Sequence, residues 1–395
     1  MAFEPVGTHP HPKPGEVLLQ HGLAADALPF LIAACQTEPT EWRHPLNLAV
    51  AYRLIGDYAK ANGCLAKAIV MAPLAWPIHH TSANLWDDEG KFDVAFEARK
   101  KAWELCGGKS REVALGFAVS MLRRGEWKEG WRLWEIGRFM YSWSPPPGLQ
   151  VYNGQDLKGK SLLVLTEGGY GDVFQNARFL PLFVTQGAKV TFCVWKRQID
   201  LLKCSPELKD IELLPAGEDI DPSKYDYTTS LLSLPALIQS TPETVPPSIT
   251  FDIEPLFAPN GHRRLGIAWQ AEEMSSHRKL RTIPNEQIEA FGAIEAEWHS
   301  LDPKERLPWM QAGPDNWLDT ARLMKSLNGV VAVDSAVMHL AGCLGIPTIA
   351  LLPVCAEWRF GTGDTMETWY KSIRLVRAKH PDEWSDALAE AVSLL

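Results

Sequence analysis

The chain is poor in the features that would place it in several common classes. Its seven cysteines (Cys35, Cys64, Cys106, Cys193, Cys204, Cys343 and Cys355) are scattered, odd in number and never spaced Cys-x-x-Cys. That excludes a disulfide framework or a zinc ribbon and fits reduced, mostly buried thiols. No stretch approaches 18 uninterrupted apolar residues, so no membrane span is expected. The opening MAFEPVGTHPHPKPGE has no apolar h-region, so no secretory signal is expected and the reading is cytoplasmic. Positive charge is short: 39 Lys and Arg against 48 Asp and Glu give a net charge of −9. This argues against a general nucleic-acid or anionic-membrane surface, while a local basic groove or a modified-base acceptor stays open. The Gly-x-Ser-x-Gly elbow of hydrolases is missing. So is the dinucleotide fingerprint: counted from Gly169 and Gly171, its third glycine would fall on Phe174.

What the chain does have begins with a repeat. Gly22, Gly56 and Gly90 stand 34 residues apart, as do Ala27, Ala61 and Ala95, and Ala34, Ala68 and Ala102. Pro39 and Pro73 keep the same step, and a last unit slips by one around Gly125, Gly130, Trp127, Trp131 and Trp134. Several registers sharing one period, with small residues where helices cross, resemble the tetratricopeptide repeat. A short helical solenoid is expected over 17–141, with a concave face suited to a peptide or protein partner. Residues 1–16 read as a flexible lead-in.

The proline-rich WSPPPGL from Trp143 to Leu149 marks a boundary, with a linker over 142–160. Beyond it, short apolar runs alternate with helical patterns, which implies parallel sheets covered by helices. The pattern runs over 161–255, pauses at a second proline-rich stretch, and restarts over 262–380 before a terminal helix at 381–395. Within the first part, SLLVLTEGGYGDVFQNARFLP reads as strand, glycine turn and helix, with Asp172 as the first polar side chain of that helix. A carboxylate there would repel a phosphate placed on that helix start. It suits an acid facing an acceptor, with Gly168, Gly169, Gly171 and Gln175 lining that side. In the second part, VVAVDSAVMHLAGCLGIP delivers Asp334 and Ser335 to the carboxyl end of a buried strand. Ala336 opens a helix whose free N–H groups can meet a diphosphate, and His339 lies one turn on. An Asp-x-Asp at Asp219–Asp221 sits in a loop and reads as a solvated turn, so no metal ligands are assigned.

These stretches, with GIAWQ, HRKLRTIP, EWRF and Trp369–Tyr370, fall in the order found in bacterial proteins that fuse tetratricopeptide repeats to a glycosyltransferase. The catalytic part resembles glycosyltransferase family nine, the heptosyltransferases. That resemblance implies an all-α solenoid followed by an α/β GT-B fold of two Rossmann-like halves, working without a metal or other cofactor. It also implies inverting transfer from a nucleotide-sugar donor to a protein, glycan or other hydroxyl. Asp172 then matches the general base, which takes the acceptor hydroxyl's proton. Lys279 and Arg281 match a basic segment that stabilises the departing diphosphate. Asp334, Ser335, Ala336 and His339 match the donor-phosphate loop, and Trp269 and Gln270 are further donor contacts. The chain departs from the family pattern at Gly168, at SSHRKLRTIP and at Asp302. The alternative reading is therefore a binding or scaffold protein whose transferase domain no longer turns over. A nicotinamide-dependent oxidoreductase is a distant third.

Overall fold

Glycines at a 34-residue step end the first helix of each hairpin in the amino-terminal region. The computed structural model describes residues 13–138, 144–258, 261–271, 278–366, 368–381 and 383–395, with the backbone only at Arg278 and Lys279. Among the described residues eight helices come first: α1 (Pro14–Gln20), α2 (Ala24–Thr37), α3 (Arg43–Leu54), α4 (Tyr58–Met71), α5 (Trp76–Asp88), α6 (Phe92–Leu105), α7 (Arg111–Arg123) and α8 (Trp127–Gly137). Gly22, Gly56, Gly90 and Gly125 hold φ of 75°, 86°, 73° and 82°, a region open to glycine at little cost. After α1, α3 and α5 the same cap recurs: Leu23, Asp57 and Lys91 donate back to the carbonyls of Leu18, Tyr52 and Trp86. Ala27, Ala61 and Ala95, at the start of each second helix, are fully buried, so the paired helices pack closely. Arg53 reaches from α3 to Asp88 of α5 with two hydrogen bonds of 2.6 and 3.0 Å. The lead-in differs from expectation at its end, because Pro14 opens α1; residues 1–12 lie outside the described part.

By packing, the chain divides into two units: 1–122 with 132–141, and 123–131 with 142–395. The second unit holds two five-stranded sheets. The first contains β1 (Gln150–Val151), β2 (Ser161–Leu165), β3 (Lys189–Val194), β4 (Glu212–Pro215) and β5 (Tyr227–Ser230), in the order β1-β5-β2-β3-β4. The second contains β6 (Arg264–Ala268), β7 (Glu297–Ser300), β8 (Gly329–Val333), β9 (Thr348–Leu352) and β10 (Ile373–Arg377), in the order β10-β9-β8-β6-β7. Every pairing between these strands is parallel. Buried β-branched and leucine runs account for this: β6, β8 and β9 are buried at every position, as strands covered on both faces must be. In each sheet the strand order reverses beside the central strand, β2 in the first and β8 in the second, and ligands bind at such points outside the carboxyl ends.

Two sequence readings are corrected here. The 142–160 segment is not wholly linker, since β1 pairs with β5 and Leu149, Tyr152 and Leu157 are buried. The helix expected over 173–184 is broken into α9 (Tyr170–Asn176), a 3-10 turn at Ala177–Phe179 and α10 (Leu180–Thr185). Pro181 has no N–H to continue the ladder, so the chain restarts its helix there.

Candidate active site

Both halves present the amino end of a helix at the same place. In the first, β2 ends in the turn Thr166–Gly169 and enters α9. In the second, β8 ends at Asp334 and enters α16 (Ala336–Leu344) through the N-cap Ser335. The two helices lie side by side in the same direction. A Cβ added to Gly171 would stand 2.9 Å from His339 Cδ2 and 3.4 Å from Ala336 Cα. One turn further on, the Cys343 thiol donates to the Phe174 carbonyl at 3.4 Å. Gly171 is what lets the first turns touch. The ring of Trp317, the first residue of α15 (Trp317–Met324), covers α9 through edge contacts to Tyr170 and Phe174 at 5.4 and 5.2 Å between ring centres.

Asp172 is the third residue of α9. One of its oxygens accepts from the Gly169 N–H at 2.9 Å, a capping contact. The other accepts from Arg359 Nη2 at 3.0 Å. Gly168 has φ of 80°, and a Cβ there would fall 2.3 Å from the Asp172 carboxylate. Glycine at 168 thus follows from the position of the acid. Arg359 comes from the loop after β9. It also pairs with Glu357 at 2.7 Å and donates to the Gln175 side-chain carbonyl. Arg377, at the end of β10, holds that loop by donating to the Phe360 carbonyl at 2.7 Å. The neighbouring Trp358 sits edge-on to Trp127, Trp131 and Trp369, with ring centres 5.9, 5.4 and 6.1 Å away.

On the facing side, Arg281 of α13 (Arg278–Arg281) donates to the Asp334 backbone carbonyl at 3.2 Å and lies 3.4 Å from its carboxylate. Burial pushes the Asp334 carboxyl up to about 6, and the Glu357 charge adds to this; Arg281 and Arg359 oppose it. Burial also works against the Arg359 charge, but Glu357, Asp172 and Asp334 outweigh it and keep the guanidinium firmly protonated. Ser335 holds the N-cap backbone geometry, yet its hydroxyl caps nothing. Ser335 Oγ, Arg281 Nε and Arg359 Nε are all buried with no partner among the described residues. Three unused donors on residues around the α16 amino end are candidates for an anion's shell.

The structure thus gathers Asp172, Gly168, Gly169, Gly171, Gln175, Arg281, Asp334, Ser335 and Ala336 around the paired helix starts. Gln270 lies further out, lining a groove of about 470 Å³ with Thr282, Asn285, Glu286 and Glu305. Two assignments are corrected. Trp269 is 0 % exposed in the core of the second sheet, with its indole N–H on Asn285, so it offers no face to a donor. His339 is 2 % exposed and bonded to the Tyr370 hydroxyl at 3.2 Å, so it is not at the mouth of the loop. Its burial, with the Arg359 and Arg178 charges, holds its pKa well below the usual value, which keeps the ring neutral. The side chain of Lys279 lies outside the described part. Arg359 and Glu357 were not assigned from sequence. The only signal was the EWRF stretch, which does not reveal that a later loop returns to Asp172.

The described residues include no helix long and apolar enough to cross a membrane. Residues 311–382, which contain Asp334, Ser335, Glu357 and Arg359, match the family model for glycosyltransferase family 9 (heptosyltransferase). The second half is thus similar to the heptosyltransferases over residues 311–382, and helices with a 34-residue glycine step precede it. Over 391 residues it is 22 % identical to the protein FlbA of Caulobacter vibrioides, covering 86 % of this chain and 65 % of FlbA. Among solved structures it is similar to the iron-containing dodecameric glycosyltransferase TibC of enterotoxigenic E. coli H10407. That match has 14 % identity and a TM-score of 0.42, over 50 % of this chain and 59 % of TibC. TibC has also been solved with ADP-D-beta-D-heptose. A family 9 glycosyl transferase of Veillonella parvula DSM 2008 matches at 13 % identity and a TM-score of 0.40, over 57 % of this chain and 88 % of that one. The chain spans less than two thirds of the length of FlbA and of TibC.

Proposed function

We propose that the protein is an inverting, metal-independent glycosyltransferase that moves a sugar from a nucleotide-sugar donor to a hydroxyl acceptor. The observation that carries this reading is the opposition of Asp172 to the cradle of Ser335, Arg281 and Arg359. In the transfer, the acceptor oxygen forms a bond to the sugar's anomeric carbon while the bond from that carbon to the diphosphate oxygen breaks. The electron pair leaves on the diphosphate, where the arginines and the α16 amino end receive it. The acceptor's proton passes to Asp172. The groove beside Gln270 gives the nucleoside room, and the repeats suit a peptide or protein acceptor. A cytoplasmic enzyme without a resident cofactor fits this chemistry.

The test is a panel of nucleotide sugars, ADP-heptose among them, assayed for release of free nucleotide and for binding by calorimetry. Asp172→Ala should lower transfer at least ~100-fold while donor affinity is kept or tightened. Equal loss of binding and transfer removes the role of base. The second reading, a binding protein without turnover, is favoured by one observation: both Asp172 oxygens are engaged by Gly169 and Arg359. Donor binding with no transfer by the wild type would establish it.

A further inference from the structure

The residue that the family resemblance left unassigned is the one that holds the base. Arg359 Nη2 is shared between Asp172 at 3.0 Å and Glu357 at 2.7 Å, and Nη1 is on Gln175. Of its remaining N–H groups, the one on Nε is buried with no partner among the described residues. One guanidinium therefore ties α9 of the first half to the β9 loop of the second. While that pair stands, both Asp172 oxygens are engaged by donors.

We propose that Arg359 is a donor-operated lock on the catalytic carboxylate: it pairs with Asp172 in the free enzyme and moves to the diphosphate when a nucleotide sugar binds. This deepens the transferase reading and rests on it. The charge count drives the exchange. Among the described side chains, three carboxylates (Asp172, Asp334, Glu357) face two guanidiniums (Arg281, Arg359). A diphosphate brings two further negative charges to that set. Arginine's planar fork matches phosphate oxygens bidentately, so both guanidiniums turn toward the stronger anion. Ser335 Oγ and Arg281 Nε already stand unpartnered to complete that anion's shell. Asp334, at about 6, can take up a proton and so relieve the added negative charge. Gly168 leaves the carboxylate its place in the pair, since a Cβ there would stand 2.3 Å from Asp172 Oδ2. The base would then be freed only when a sugar is present to receive the acceptor.

The experiment is a double-mutant cycle on pyrophosphate binding, read by calorimetry at pH 7.5 in the full chain, with thermal unfolding as a control of folding. If Asp172 competes for Arg359, Asp172→Asn should tighten pyrophosphate binding about fivefold. Arg359→Gln should weaken it about tenfold or more. In the Arg359→Gln background, Asp172→Asn should change affinity less than about twofold. The same tightening in both backgrounds would mean simple removal of a negative charge and would overturn the lock. Absence of pyrophosphate binding in every variant would instead overturn the donor site, and the lock with it. A pyrophosphate-soaked crystal of the wild type gives a reading that needs no Arg359 variant. Arg359 found on the pyrophosphate and off Asp172 supports the lock; Arg359 still on Asp172 beside bound pyrophosphate removes it.

Discussion

In the amino-terminal half, β2 runs through a glycine turn and delivers Asp172 as the third residue of α9. In the carboxyl-terminal half, β8 delivers Asp334 one residue before the N-cap of α16. The frames correspond, but the two acids are set differently. Asp172 caps its own helix through the Gly169 N–H and is partly open, with a side-chain exposure of 20 %. Asp334 is buried and pushed up to about 6. A shift of four residues around a helix start thus separates a carboxylate that can act as base from one that takes up a proton near neutrality. The second half also keeps an idle hydroxyl, Ser335, where the first has only glycine backbone. One start is shaped for an acid, the other for an anion.

The largest expected effect comes from driving the two starts apart. Gly171→Val puts a branched side chain where a Cβ alone would already lie 2.9 Å from His339 Cδ2. Overpacking of this kind costs about 1–3 kcal/mol, so the thermal midpoint should fall clearly and transfer should be lost with it. Unchanged stability on calorimetric unfolding would show that the halves do not depend on this contact.

The comparison can be sharpened with pH. Folded Asp334 holds its proton up to about 6, against an ordinary value of 3.8, so the native state binds more protons than the unfolded chain between these limits. That contribution is fully present below about pH 4 and is lost as pH rises through 6, in total on the order of 1–3 kcal/mol. Asp334→Asn should therefore gain stability relative to wild type as pH goes from 4 to 7, measured as the difference in thermal midpoint. A constant difference across that range would mean that Asp334 titrates normally. Donor affinity of the wild type should also weaken above pH 6, because the ionised carboxylate faces the diphosphate.

A smaller effect separates a glycine of the site from a glycine of the scaffold. Gly345, the C-cap of α16, has φ of 68° and nothing within 4 Å of an added Cβ. Gly345→Ala should cost about 1 kcal/mol of backbone strain and leave turnover unchanged. Gly168→Ala carries similar strain but also displaces the Asp172 carboxylate, so its loss of turnover should exceed what its stability explains. Equal turnover in both variants would detach Gly168 from the acid.

Much of the frame was legible before any coordinates. Local signals were enough where one residue type answers one backbone demand: the glycines at a 34-residue step became left-handed helix ends, and the runs before Gly168 and Asp334 became the central strands that carry the site. What sequence concealed depends on contacts between distant segments. Pro181 broke a helix whose apolar period continues across it, and a two-residue edge strand at Gln150–Val151 is too short to show any period. Arg359 could not be placed because the loop from β9 returns across 187 positions to Asp172. Burial misled at Trp269 and His339. Both stand beside strand ends and carry groups able to bind a ligand, yet packing turned Trp269 into the core and His339 against Gly171 and Tyr370.

The last distinction is the smallest in energy and concerns His339. If that ring is a packing element, removing the hydroxyl it meets should be felt by the fold alone. Tyr370→Phe deletes the partner of Nδ1, and both groups are buried, so the loss should be about 1 kcal/mol of stability. Pyrophosphate affinity should stay within about twofold, because neither ring takes part in the cradle of Ser335, Arg281 and Arg359. The opposite pattern, unchanged unfolding with a tenfold loss of affinity, would return His339 to the donor loop. It would then be the α16 ring, and not its amino end alone, that reads the phosphate.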